Sequence, residues 1–138
     1  MRVSLTSVSK FTQAITPLSN AAGAVTGTAV NAAGFDRALF LIDVGTMANG
    51  GATLVMAVDQ NNTSGTSGSQ ISGSLDTVAA TSGASETYGI DVPVDPDYPW
   101  LTLKSTAGTG FVNVGASVIL YNGSGLFPKT NQNTAKVV

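Results

Sequence analysis

The sequence contains no histidine and no cysteine. These two absences remove the usual general base near neutral pH, the thiolate nucleophile, every disulfide and the commonest zinc ligands. Carboxylates, Ser, Lys or Tyr can still support catalysis. However, no nucleophile–base pair, no Gly-rich loop followed by Lys and Ser/Thr, and no G-x-S-x-G pattern is legible. The chain is therefore expected to be no enzyme and to need no cofactor. Charge is scarce too: Asp, Glu, Lys and Arg make up 10% of the 138 residues, against about 25% in an ordinary globular domain. The six basic residues, Arg2, Lys10, Arg37, Lys104, Lys129 and Lys136, are scattered and the net charge is −2. Nucleic-acid binding rests on clustered Lys and Arg, so no nucleic-acid partner is expected. No apolar run approaches the ~20 residues that span a bilayer, so no membrane partner is expected either. The opening MRVSLTSVSKFTQAITP is too polar for the apolar core of a signal peptide, which points to synthesis in a cytoplasm.

What the chain has in quantity is Ser, Thr, Asn and Gly, at 56 of the 138 positions. Its surface must be built from hydroxyls and amides rather than ions. Its apolar residues recur mostly with period two. FVNVGASVILY (111–121) sets Val112, Val114, Ala116, Val118 and Leu120 on one face and Asn113, Gly115 and Ser117 on the other, the pattern of a half-buried strand. WLTLKS (100–105) and ETYGIDV (86–92) alternate in the same way. RALFLIDV (37–44) and TLVMAV (53–58) are apolar on both faces; such runs are central strands covered above and below, or strands whose outer face meets another chain. Weaker strand signals lie at 3–9, 25–30 and around Ile71 to Leu75. Helical signal is poor, confined to Ala-rich stretches near 20–24 and 78–84. About eight short antiparallel strands with Gly, Asn and Pro turns between them predict an all-β, single-domain sandwich, jelly-roll-like rather than immunoglobulin-like. Residues 1–20 read as an N-terminal arm or first strand, 21–124 as the sandwich, and 125–138 as a C-terminal tail.

Several clusters invite a chemical reading. DQNNTSG (59–65) has Asp59, Asn61 and Thr63 at alternate positions, like a calcium loop, but Ser64 and Gln70 stand where that motif needs Gly and Glu. DVPVDPDYP (91–99) gathers Asp91, Asp95 and Asp97. These could bind an ion or, as paired carboxylates, act on a glycoside, whereas the three prolines among them mark a rigid turn-rich connection. Asp36 and Arg37 suit a turn with a local ion pair, or a dock for a neighbouring subunit. Asp43 shares a face with Leu39 and Leu41, so that face runs outward or Asp43 has hydroxyl or backbone partners. Tyr88, Tyr98 and Trp100 fit either a sugar-stacking platform or the core and rim of a sandwich. The metal expectation is none.

The order of segments carries a resemblance. A polar lead-in GTAVNAAG precedes GFDRALFLIDVG; ATLVMAVDQ then runs into the polar loop QNNTSGTSGSQ. After an Ala/Ser-rich middle come YPWLTLKST and FVNVGASVILYN. From about residue 25 to 121 this layout resembles the small jelly-roll decoration, or cement, proteins of tailed double-stranded DNA bacteriophages. The family's loop often carries more acidic residues than this one, so loop contacts do not carry over. The resemblance implies a virion structural protein on the outer surface of the capsid, often a homotrimer, with the major capsid protein as its partner. Other parts of a phage (a head fibre base, a tail component, a small shell protein) and a carbohydrate-binding or adhesin module are the alternatives. For contacts with sister subunits or the capsid, the sequence offers Val3, Leu5, Val8 and Phe11 on the arm, which alternate with polar residues and suit strand addition. It also offers Arg37, Leu39 and Leu41 on the doubly apolar strand, and Leu126, Phe127, Val137 and Val138 on the tail. A weakly charged interface has little Coulomb attraction for salt to screen, so binding is expected to survive high ionic strength.

Overall fold

The computed structural model describes residues 9–20, 23–47, 52–65, 67–79, 86–123 and 135–137. Its regular elements are eleven strand segments: β1 (Ser9–Asn20), β2 (Gly23–Thr26), β3 (Val30–Asn31), β4 (Arg37–Met47), β5 (Thr53–Asn61), β6 (Ser69–Gln70), β7 (Asp76–Ala79), β8 (Glu86–Pro93), β9 (Trp100–Ala107), β10 (Val112–Tyr121) and β11 (Ala135–Val137). Among the described residues no helix is long and apolar enough to cross a membrane.

Two sheets form. The front sheet runs β1-β10-β4-β8-β11 and the back sheet β2-β9-β5-β6, with β3 also on β9 and β7 also on β5. β2 and β3 lie in succession along β9, opposite Ala107 to Lys104 and then Leu101 and Trp100, and so act as one interrupted strand. β6 and β7 divide β5 in the same way. Taken as eight strands in chain order, the first pairs with the last, the second with the seventh, the third with the sixth and the fourth with the fifth. A long hairpin with four strands in each arm, rolled on itself, produces this order, the eight-stranded jelly roll. The all-β, jelly-roll-like sandwich read from the sequence is thus what the chain forms.

The period-two pattern explains why these segments pair. Ala38, Phe40, Ile42 and Val44 of β4 and Tyr88, Ile90 and Val92 of β8 point inward. They meet Leu54, Met56 and Val58 of β5 and Leu101 and Leu103 of β9 in one core. Both sheets bury one face of each strand here, the arrangement that aligned sandwich packing requires. Gly27 holds the passage between sheets: its N–H donates to the Leu103 carbonyl and the next N–H, Thr28, to the Ala14 carbonyl, both at 2.8 Å. A Cβ there would stand 2.5 Å from the Ala14 oxygen and 2.9 Å from the Leu103 oxygen, so only glycine fits.

Two expectations need correction, and a third falls almost wholly outside the described residues. The weak strand signal at 3–9 lies outside the described residues except for Ser9, and the first strand runs from there to Asn20. Its alternation is hidden by two register shifts against β10, between Gln13 and Ile15 and between Ile15 and Leu18. The 25–30 signal breaks at the Gly27 passage into β2 and β3. Ile71 to Leu75 is a turn between β6 and β7, not a strand. Its Ser74 hydroxyl accepts from the Val58 N–H at 3.1 Å and donates to the Val58 carbonyl at 3.2 Å. Val58 lies in the gap of the β5 ladder that neither β6 nor β7 reaches, so one side chain stands in for a missing strand residue.

Candidate interaction surface on the front sheet

Register across the front sheet places outward-facing residues in rows. Phe11, Ile119, Leu39 and Asp91 occupy one row, each the partner of the next, and the backbone of β11 pairs at the end of that row with Asp91. Gln13, Ser117, Leu41 and Gly89 form the adjacent row, and Ser9, Tyr121, Arg37 and Pro93 the one on the other side. Exposure is graded across this face. Phe11 is 54% exposed; Ile119 and Leu41 are half-buried. Leu39 is only 2% exposed although it points away from the core cluster. The doubly apolar run 37–44 is therefore a central strand whose outer side is buried at one end and open at the other, where Asp43 accepts a 2.7 Å hydrogen bond from the Thr87 hydroxyl.

Beside Leu39 lies a charge network. Arg37 Nε donates to Asp91 Oδ1 at 3.1 Å, Arg37 Nη2 to the Asp91 carbonyl at 3.4 Å, and the Tyr121 hydroxyl to Asp91 Oδ2 at 2.6 Å. The Asp91 side chain is 1% exposed and that of Arg37 16%. Burial opposes the guanidinium charge, but Asp91 and Tyr121 together outweigh it, and the net effect raises the Arg37 pKa above its ordinary value. Arg37 thus pairs with Asp91, 54 residues away, and not with its neighbour Asp36. Asp36 instead accepts from the Gly123 N–H at 2.9 Å, while its own N–H donates to Asn122 Oδ1 at 3.0 Å.

Asp91 is thereby separated from the other two aspartates of its segment. Asp95 and Asp97 lie in a turn, where the Asp97 N–H donates to Asp95 Oδ1 at 2.9 Å. Among the described residues no three His, Cys, Asp or Glu side chains are grouped to hold a metal ion. In the 59–65 segment, Asp59 pairs with Lys104 Nζ at 2.5 Å, and Asn61 donates through Nδ2 to the Ser67 carbonyl. The aromatic trio does not assemble into a platform. Tyr88 lies in the core cluster, its hydroxyl donating to Glu86 Oε2 at 2.6 Å. Burial, then that hydrogen bond, pushes its pKa up to about 12. Tyr98 is exposed and Trp100 half-buried.

Of the contact candidates, Val3, Leu5, Val8, Leu126, Phe127 and Val138 lie outside the described residues, and Val137 is placed by its backbone in β11. Phe11 and Leu41 present apolar surface. Leu39 presents almost none, and Arg37 is committed to Asp91. A feature missed by sequence reasoning is a groove of about 440 Å³ on the same sheet, toward the other end of β1. Gly45 and Gly115 help line it, with Pro17, Leu18, Asp43 and Asn113 around them. The β1 register shifts bring Pro17 over Gly115, where a Cβ would lie 3.1 Å from the proline ring. The signal for it was the pair of glycines at outward positions of two otherwise regular strands.

No protein-family model matches the sequence, and no curated protein matches it. A solved structure of infectious bursal disease virus, Gt strain, contains a chain similar to this one, with TM-score 0.52, 9% identity, and coverage of 87% of this chain and 33% of that chain. A structure of the Gx strain of that virus gives TM-score 0.49 and 12% identity, over 87% of this chain and 34% of that one. The CBM22-1–GH10 modules of Clostridium thermocellum xylanase 10B, complexed with xylohexaose, give TM-score 0.43 and 13% identity, over 83% and 26%. This chain thus spans about a third of the length of the virus chains it matches. At such identity the likeness to the Gt-strain chain concerns the fold: the rolled sandwich described above is also built in a virus structure.

Proposed function

We propose that this chain is a virion structural protein, a decoration or cement protein that binds the outer surface of a phage head and stabilises it by bridging capsid subunits. The observation that carries the reading is the eight-stranded jelly-roll sandwich, similar in fold to part of a chain of a virus structure, in a chain rich in hydroxyl and amide residues. Its partners are the major capsid protein and sister copies, as a homotrimer. The front sheet supplies a stiff platform, with the apolar side chains of Phe11, Leu41 and Ile119 on its open side. Bridging needs no turnover. Several modest contacts made by one oligomer act together through effective concentration, so affinity for an assembled shell exceeds that for a free subunit.

The test adds the purified protein to preformed capsids that lack it and images them by cryo-electron microscopy. Ordered density on the outer surface, retained at high salt, and a raised capsid melting temperature are expected. Capsids that stay bare, or from which the protein dissociates at moderate salt, overturn the reading. Binding to a glycan array with bare capsids would select the carbohydrate-binding alternative.

A further inference from the structure

The two edges of the front sheet are built differently. Edge strand β1 has two register shifts and carries Pro17, and its Ala14 carbonyl accepts from Thr28. These are features that blunt an edge against strand addition. β8 pairs with β4 without a break from Arg37 opposite Pro93 to Val44 opposite Glu86, so its other side presents a straight, regular edge. Onto that edge β11 adds, in parallel, opposite Gly89, Ile90 and Asp91. This is a parallel pair beside four antiparallel strands, formed by the last residues of the chain.

We infer that the β8 edge is a receiving site for residues 135–137 of a second copy of this chain, so that copies join by strand exchange. The inference concerns self-association and stands apart from capsid binding. Three residues of parallel pairing provide few hydrogen bonds, and parallel ladders are slightly weaker per residue than antiparallel ones. Such a strand gains little by staying on its own sheet. The chain from β10 to β11 comprises residues 122–134, 13 residues, which span up to about 45 Å when extended. The route to the protein's own edge crosses three strand spacings, about 14 Å, and descends from the level of Tyr121 to that of Gly89, about 13 Å more. The connection is therefore roughly twice as long as its own edge requires, which leaves length to extend beyond its own sheet. Exchange preserves every backbone pairing while linking the subunits, which makes it a low-cost route to an oligomer. Closure of a ring then holds each short strand through all the others.

The absence of cysteine makes the test clean. One full-length chain carries Gly89→Cys and another Ala135→Cys; they are refolded together and oxidised. Because each chain holds a single thiol, a disulfide linking the two variants can form only between copies. That mixed disulfide is expected, in excess over either like-with-like product. A double variant of one chain, diluted after refolding, is expected to give covalent oligomers rather than an internally closed monomer. Independently of the cysteines, light scattering after size exclusion should give a multiple of the 13.9 kDa chain mass for the intact protein and a single chain mass when it ends at Thr134. A monomeric intact chain, an oligomer unchanged by the truncation, or a disulfide confined to single chains overturns the inference. None of these results bears on whether capsids are coated.

Discussion

The two sheets of this sandwich handle polar groups in opposite ways. The front sheet has long ladders, β4 paired with β8 without a break and with β10 over most of its length, and buries a charge network on its outer face through Arg37, Asp91 and Tyr121. The back sheet has interrupted edges, β2 with β3 and β6 with β7, and its outer face carries a Lys104–Asp59 pair whose lysine is 38% exposed. Burying a charge costs heavily unless every oxygen finds a donor, and Asp91 has a donor on each. A lysine in water needs no such arrangement. The front face thus holds its buried charge by paired donors while the back face leaves its lysine partly in solvent, and short broken edges on the back limit stray strand pairing.

The sharpest way to break this contrast is to remove one carboxylate from each face. Asp91→Ala removes the carboxylate that faces the largely buried Arg37 and should cost roughly 3 kcal/mol. Asp59→Ala removes a pair with an exposed partner and should cost about 1 kcal/mol or less. Urea unfolding of the two variants checks this, read from midpoints at an unchanged slope. Equal losses would dissolve the distinction between the faces.

That asymmetry was only partly visible in the sequence. Alternation at 86–92, 100–105 and 112–121 marked strands because each buries one side only, and turn residues between them indicated a sandwich. The same alternation says nothing about what the outward side meets. Asp91 was grouped with Asp95 and Asp97 because they are neighbours in sequence. The fold instead sets Asp91 on the outward side of a strand, facing an arginine from a strand 54 residues earlier. Leu39 and Leu41 looked alike; their difference in burial depends on rows assembled from strands far apart in the chain. Residues 1–20 read only as an arm or a first strand, because the bulges of β1 disrupt the period that would have fixed its bounds.

The next contrast concerns ladder continuity. In the front sheet, backbone pairs complete the central strands; in the back sheet, Ser74 completes β5 at Val58. Ser74→Ala leaves the Val58 N–H without its side-chain acceptor in a buried site and should cost about 1–3 kcal/mol. Hydrogen exchange would read this locally: protection at Val58 should fall while that of β4 and β10 falls only by the global loss. Unchanged protection at Val58 would show that the hydroxyl plays no part in holding the strand.

The smallest expected effect has the opposite sign. Ser105 faces inward from β9 and is fully buried, and its hydroxyl has no hydrogen-bond partner among the described residues. It is flanked in register by Met56 on β5 and Val25 on β2. A buried hydroxyl that loses its water and gains no partner disfavours the folded state. Ser105→Ala deletes that group while removing only one heavy atom of volume, so the gain should exceed the cost of the void and net about 0.5–1 kcal/mol of added stability. The urea midpoint should therefore rise, with the slope unchanged. The same exchange at Ser74, on the same sheet and equally buried, should lower it. A fall in both would mean that Ser105 also bonds to something, and that the back sheet, like the front, satisfies every polar group it buries.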